Sequence, residues 1–256
     1  MKKKNTLPKI SVITVVLNND KYIERCLKSV INQNYPKNKI EYIVIDGGSI
    51  DKTVSLIKKF QKKITYWHSK KDMGLYDAMN FGIKKSTGDI IGILNSDDFY
   101  NKNALKIVSN YFMKNKIDFL FGSVKKKRIY HNFFPDRLWY TFNVFPSHSV
   151  SFFIIKNSQK KIGLYNINFK YSSDRDLIYR LIKNKSFKGM ATKKNEVLGT
   201  FNMSGLSSRV TFYEKILEEV KIRLSNKEKI IQTFGVMIIF LIYHLLKKTK
   251  KKIFNI

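Results

Sequence analysis

The chain has 256 residues, 43% hydrophobic and 14% aromatic, which suits one large domain with a substantial core and excludes wholesale disorder. Its formal net charge of +30 comes from 49 Lys and Arg against 19 Asp and Glu, with only seven of the basic residues being Arg. A reader of nucleic-acid bases favours the bidentate Arg fork, and Arg25, Arg128, Arg137, Arg175, Arg180, Arg209 and Arg223 form no cluster along the chain. Much of the lysine therefore reads as coding bias, and the rest as attraction to an anionic partner, membrane lipid foremost. Cys26 is the only cysteine, so no intramolecular disulfide can form, and its helical spacing places it in the core. "MKKKNTLPKI" has no apolar stretch of signal-peptide kind, so a cytoplasmic location is expected.

The first elements alternate. "ISVITVVL" (Ile10–Leu17) is a β-branched run suited to a strand buried on both faces. Asp20 then offers a cap for a helix whose apolar positions Ile23, Cys26, Leu27, Val30 and Ile31 follow the helical period, and Pro36 marks its end. "IEYIVID" (Ile40–Asp46) is a second strand closed by the turn "GGS". A helix with Val54, Ile57 and Phe60 inward, the strand "ITYWH", a short helix over Tyr76–Lys85 and the strand "DIIGIL" (Asp89–Leu94) follow. This repetition predicts a parallel, doubly wound sheet.

After Asp98 the rhythm breaks. Ala104–Lys116 reads as a helix and "IDFLFGSV" as one strand, while "VKKKRIY" and "SVSFFII" suggest strands of an irregular half. Lysines over Lys125–Arg128 suggest a solvated edge. A helix begins near Asp174 with Leu177, Ile178, Leu181 and Ile182 on one face, and Asp176 is expected to pair with a nearby Lys or Arg. The division falls at 207/208: a domain over 1–207 and a helical tail over 208–256. In the tail, Tyr213, Ile216, Leu217, Val220 and Leu224 form one stripe. "IIQTFGVMIIFLIYHLL" (Ile230–Leu246) lies between lysine clusters, short for a span, and suits a helix lying in the plane of an anionic membrane surface.

In an open parallel sheet, ligands bind at the carboxyl ends of the strands. The acids of this acid-poor chain fall there: Asp46 closes the second strand, Asp72 follows the third, and Asp97 and Asp98 follow the fourth. Close carboxylates of this kind can hold a hard divalent cation, with diphosphate oxygens completing its shell. No glycine-rich phosphate loop is present, so a diphosphate would be neutralised by metal.

"SVITVVLNNDKYIERCLKSVINQNYPKNKIEYIVIDGGSIDKT", followed by "DMGLYDAMNFGIKKSTGDIIGILNSDD", resembles the family-2 glycosyltransferases of GT-A fold, in particular the bacterial branch that builds surface polysaccharides. The resemblance is close from Ile10 to Asp98 and looser to about Ser208. It implies an α/β, Rossmann-like GT-A fold with a mixed, mostly parallel sheet flanked by helices, and an inverting, metal-dependent transfer of sugar from a nucleotide-diphosphate donor. The acceptor it implies is a lipid-linked glycan in surface polysaccharide or lipopolysaccharide synthesis. By the same resemblance Asp46 contacts the nucleotide base, in a pocket lined by the backbone of Thr14, Val15 and Val16 and by Gly48. Asp72 approaches ribose or base, with Tyr76, Asp77 and Asn80 shaping the floor. Asp97 is the metal ligand for Mn2+ or Mg2+, Asn95 stands where many relatives carry the first acid of Asp-x-Asp, and Asp98 lies toward the donor sugar. Asp174 matches the catalytic base, with Ser173 in place of a frequent acid. His148 sits where relatives often have a His-Gln pair, and Met203–Ser208 matches a small-residue loop near the diphosphate. Gly47 replaces a second acid common after Asp46.

Read from the residues alone, Asp174 fits a base and a helix cap equally, and His148 fits a locally bonded polar residue as well as a donor contact. Two rivals use the same features: a metal-dependent nucleotidyltransferase, which usually wants a glycine-rich loop near the first strand, and a basic nucleic-acid-binding protein, indifferent to loss of Asp97. A third is a catalytically weakened relative acting as a binding subunit. The favoured reading is a membrane-peripheral glycosyltransferase with no nucleic-acid partner, its oligomeric state left open.

Overall fold

The computed structural model describes residues 6–131, 133–140, 144–202 and 210–253. Strands β1 (Ile10–Val16), β2 (Ile40–Asp46), β3 (Tyr66–Ser69) and β4 (Ile90–Asn95) run parallel in the order β4-β1-β2-β3. All seven β1 residues are buried, as a central strand covered on both faces must be. Beyond β4 the sheet continues through β9 (Phe152–Ile155), β6 (Phe119–Phe121) and β10 (Gly189–Ala191). Strand β9 is antiparallel to both its neighbours, so the seven-stranded sheet is mixed, as expected.

Alternation along β1 divides the core. Ile10, Val12 and Val16 pack with α1 (Ile23–Ile31), α2 (Thr53–Phe60) and α4 (Ala104–Lys114). Ile13 and Val15 pack with α3 (Leu75–Lys85) and α6 (Ser173–Lys183) on the other face. The register aligns Val16 with Asp46 and Asp46 with Ser69, and Val15 with Asn95, so the strand-end polar groups form one row along the crevice edge. The topological switch lies at this edge, where β1 is flanked by β2 and β4.

Several local expectations are corrected. Asp20 does not cap α1: the Asn19 carbonyl accepts the N–H groups of Tyr22 and Ile23, and the Asp20 N–H goes to Asp51. "IDFLFGSV" is two strands in two sheets, β6 and β7 (Ser123–Lys125), because Gly122 lies against Leu198; a Cβ there would come within 2.1 Å of its Cδ1. The second sheet has four strands in the order β5 (Phe99–Tyr100), β11 (Val197–Thr200), β7 and β8 (Ile129–Tyr130). Lys126–Arg128 is the turn of the β7–β8 hairpin rather than an edge strand, and Lys126 is packed instead of solvated, 4.3 Å from the Phe201 ring centroid.

The expected division at 207/208 lies within 203–209, outside the described residues. Beyond it, α7 (Phe212–Ser225) starts with a capping box between Thr211 and Glu214 and packs against the body. Only Ile216 of the expected stripe is buried; Tyr213, Leu217 and Leu224 face outward, while Glu219, Ile222 and Arg223 are inside. Helix α8 (Ile230–Ile253) packs on α7 through Thr233 and Val236, with Phe212 stacked on His244 at 3.7 Å. Among the described residues no helix is long and apolar enough to cross a membrane.

Candidate active site

The end of β2 is built around Asp46. Its fully buried carboxylate accepts the N–H groups of Gly48 (3.1 Å) and Ser49 (2.9 Å), the Ser69 hydroxyl (2.6 Å) and the Ser49 hydroxyl. These bonds shape the 47–49 turn, in which Gly48 takes φ +88°, a conformation that favours glycine. Asp72 fills the room in front of Gly47, where a Cβ would come within 2.6 Å of its Oδ2. Burial pushes the Asp72 carboxyl up, Asp77 and Asp46 add repulsion, and the Gly74 N–H (2.9 Å) opposes both. Asp77 accepts the Met73 N–H at 3.2 Å and closes the start of α3. Thr14 is core: its buried hydroxyl meets Tyr42 at 3.1 Å. Val15 and Val16 are buried too, and the Val16 carbonyl pairs with Gly47.

At the end of β4 the chain turns sharply, with the Asp98 N–H bonded to the Asn95 carbonyl (3.0 Å). Asp98 is fully buried, and its Oδ1 accepts the Asn202 N–H at 2.8 Å. Burial, reinforced by the charge of Asp97, pushes its carboxyl up to about 8; the Asn202 N–H, Ser149 and Lys126 pull the other way. Asp98 Oδ2 and Asn95 Oδ1 are both buried without a hydrogen bond of normal geometry. Asp97 is partly exposed; burial raises its carboxyl and Arg25 counters.

The two orphaned oxygens and the partly exposed Asp97 carboxylate are oxygen donors, the chemistry a hard divalent cation such as Mg2+ or Mn2+ takes. Among the described residues no group of three or more His, Cys, Asp or Glu converges as a self-sufficient metal cage.

Asp174 lies one residue inside the start of α6, where Ser172 holds the cap position, so it is not the cap. Its Oδ1 accepts the Arg175 N–H (2.8 Å) and the Tyr76 hydroxyl (3.1 Å), which also lies 2.9 Å from the Tyr171 carbonyl. The Tyr76 ring stacks on Tyr165 at 5.7 Å, and the Tyr165 hydroxyl meets His148 Nε2 at 2.5 Å. Burial lowers the His148 pKa and Asp174 opposes this. Asn80 clamps the Tyr165 backbone by two bonds of 2.9 Å, so it builds the floor through Tyr165.

The segment 147–151 joins the two ends of the site. His148 faces Tyr165, while the next residue, Ser149, accepts the Asn95 N–H at 2.7 Å. Val150 is buried with φ +72°, a costly conformation for a β-branched residue that is held here by packing. The structure therefore groups Asp46, Asp72 and Asp77, sets Asn95, Asp97 and Asp98 on the turn after β4, and links Tyr76 to Asp174 directly and to His148 through Tyr165. Met203–Ser208 lies outside the described residues. Sequence reasoning missed Arg25, which donates to the Asp97 carbonyl (3.1 Å) and lies 4.2 Å from the Phe99 ring centroid, and also Ser149 and Tyr165. Arg25 carried a signal: in a chain that uses lysine almost everywhere, an Arg marks a place needing a planar fork.

A Rossmann-like sheet with acids at the ends of its parallel strands and an antiparallel strand beyond the switch point is an architecture that binds ligands at the strand ends, and the family match below makes it a GT-A fold. The sequence profile of Glycosyl transferase family 2 matches residues 11–187, and the chain belongs to that family. An uncharacterized glycosyltransferase of Mycobacterium tuberculosis is 32% identical over 184 residues, 68% of each chain. A dolichyl N-acetyl-α-D-glucosaminyl phosphate 3-β-D-2,3-diacetamido-2,3-dideoxy-β-D-glucuronosyltransferase of Methanococcus voltae is 38% identical over 102 residues, 38% of this chain and 32% of the relative. Among solved structures, Staphylococcus aureus TarS 1–349 in complex with UDP-GlcNAc superposes with a TM-score of 0.66 at 20% identity, covering 91% of this chain and 71% of that one. The match spans 43% of the longer TarS chain. The mannosyltransferase PcManGT of Pyrobaculum calidifontis, in complex with GDP-Man and Mn2+, has a TM-score of 0.67 at 13% identity, covering 91% and 69%.

Proposed function

We propose that this chain transfers a sugar from a nucleoside-diphosphate donor to a hydroxyl of a lipid-linked glycan, with inversion at the anomeric carbon, in the synthesis of a surface polysaccharide or lipopolysaccharide. The observation that carries the reading is the arrangement of Asp174: both of its side-chain hydrogen bonds fall on Oδ1, which leaves Oδ2 for an acceptor proton. The acceptor oxygen forms a bond to the anomeric carbon as the bond to the diphosphate oxygen breaks with its electron pair. The proton passes to Asp174. A single displacement with one base and no enzyme nucleophile inverts the centre.

Asp97 would hold Mn2+ or Mg2+, with Asn95 and Asp98 as neighbouring oxygens; when bound, the cation offsets the charge that builds on the departing diphosphate. The Asp46 turn, Asp72 and the start of α3 would receive the nucleoside, and Arg25 steadies the Asp97 turn through its carbonyl. The donors of the TarS and PcManGT complexes, UDP-GlcNAc and GDP-Man, are the natural probes. The lipid-linked acceptor is supported by the dolichyl-phosphate relative and by the outer faces of α7 and α8. Those faces expose Leu217, Leu224, Ile231, Phe234, Ile238 and Ile242 in a chain of net charge +30, which suits docking in the plane of an anionic membrane.

The test is calorimetric titration of UDP, GDP and dTDP against the chain and Asp97→Ala, with and without Mn2+, followed by turnover of the donor that binds. Metal-dependent binding that Asp97→Ala loses supports the reading; binding of none of the three sinks it. Asp174→Asn should keep donor affinity and lose transfer.

A further inference from the structure

Helix α7 grips the chain on both sides of Asp174. Before it, the Glu218 carboxylate accepts the backbone N–H groups of Lys170 (2.7 Å) and Tyr171 (3.1 Å to each oxygen). After it, Arg175 forks onto Glu219, with Nη2 3.2 Å from Oε1 and Nε paired to Oε2. Asp176, paired with Arg180 at 2.9 Å, also accepts from Asn226 at the end of α7 (2.8 Å). Glu219 Oε1 in turn accepts Arg223 Nε at 2.8 Å, and Arg223 Nη2 anchors to the Leu138 carbonyl at 2.6 Å. Two arginines that stand apart in the sequence thus share one carboxylate.

This grip is not the economical way to attach a helix. Glu219 is 3% exposed and Arg223 1%, and a buried ion network rarely stabilises more than apolar side chains of the same volume. What a fork adds is direction: it fixes the rotation and height of the segment it holds. The held segment ends at the Tyr171 carbonyl on one side and Arg175 on the other. Tyr76 spans the gap, touching both the Tyr171 carbonyl and Asp174 Oδ1.

We propose that Glu218 and Glu219 are positioning residues for Asp174, holding the residues that flank it so that its free oxygen faces the acceptor hydroxyl. The inference rests on the reading of Asp174 as the base. It makes α7 a working part of the catalytic body and not a dispensable tail.

The experiment uses the full chain, Mn2+ and UDP-GlcNAc, or GDP-mannose where that nucleotide is the one bound, with water as acceptor. Glu218→Ala and Glu219→Ala should lower kcat about 10- to 100-fold, the scale of a misplaced reacting group, and leave KM and nucleoside-diphosphate affinity within about two-fold. Glu219→Gln, which keeps an oxygen for Arg175, should recover part of the loss. In an Asp174→Asn background neither alanine substitution should lower the residual rate further, because a group acting through Asp174 has nothing left to position. Equal losses in both backgrounds, or an unchanged kcat, would overturn the proposal. Full turnover by Asp174→Asn would instead overturn the base reading, a separate failure. Glu218→Ala leaves no buried charge unpaired, so it carries the test if Glu219→Ala does not fold.

Discussion

Glu41 lies at the end of the sheet away from the site, beside Ser11 in the β1–β2 register. Its carboxylate collects the Ser11 hydroxyl (2.5 Å), the Thr87 N–H (2.6 Å) and hydroxyl, the Gly88 N–H (3.3 Å) and the Lys9 ammonium (3.2 Å). Burial alone would raise its pKa; these donors overcome that and hold it at about 2 against an ordinary 4.5. The depressed value stabilises the fold above the unfolded-state pKa, and the gain disappears as pH falls through 4.5 toward 2. At 1.36 kcal/mol per unit the shift corresponds to roughly 3 kcal/mol, which solvent screening around the partly exposed Lys9 reduces to about 2 kcal/mol. Glu41→Gln should therefore lose about 2 kcal/mol at pH 7, or a Tm shift of about 4–8 °C for a chain of this size. Urea denaturation of both proteins at pH 7, 4 and 2.5 reads the gap. It should shrink on acidification, because a protonated glutamate offers what glutamine offers. A gap independent of pH would refute the reasoning, as would a change in donor affinity at pH 7.

Asp98 has the opposite sign. Its folded pKa is raised, so its ionisation destabilises the metal-free fold progressively as pH climbs from the unfolded value toward about 8. Asp98→Asn should melt several degrees above the parent at pH 8 without metal and level with it at pH 4, by differential scanning fluorimetry; Mn2+ should raise the Tm of the parent more than that of the variant. Replacing Ile231, Ile238 and Ile242 by Glu should abolish co-sedimentation with vesicles of anionic lipid while leaving nucleotide binding intact, since all three side chains face outward. Gly122→Ala should cost about 1–3 kcal/mol in urea denaturation, because its methyl meets the Leu198 side chain.

What the sequence made legible follows from local rules. The β-branched run of β1 and the apolar period of α1 specify their own burial, and the acids at strand ends stand out in an acid-poor chain. The rest depends on partners remote in sequence. Nothing around Gly122 announces that Leu198 will lie against it, so one strand was read where two sheets part. The insertion of β9 between β4 and β6 is a pairing choice that β propensity does not encode. In α7 the sequence shows an apolar stripe, but Glu219 and Arg223 are inside, where they meet Arg175 and the Leu138 carbonyl. The bond of Asp98 to Asn202 is not legible locally, because it forms only when the chain returns 104 residues later.

Gly47 and Asp72 share one volume, and that couples the two positions. A side chain added at 47 displaces the Asp72 carboxylate from its place beside the Asp46 turn, so a change at either position is felt at the other. A protein with both groups in place brings a further negative charge to a site where Asp46 and Asp77 already repel Asp72. An acid at 47 is therefore accommodated only beside a shifted and more strongly repelled Asp72.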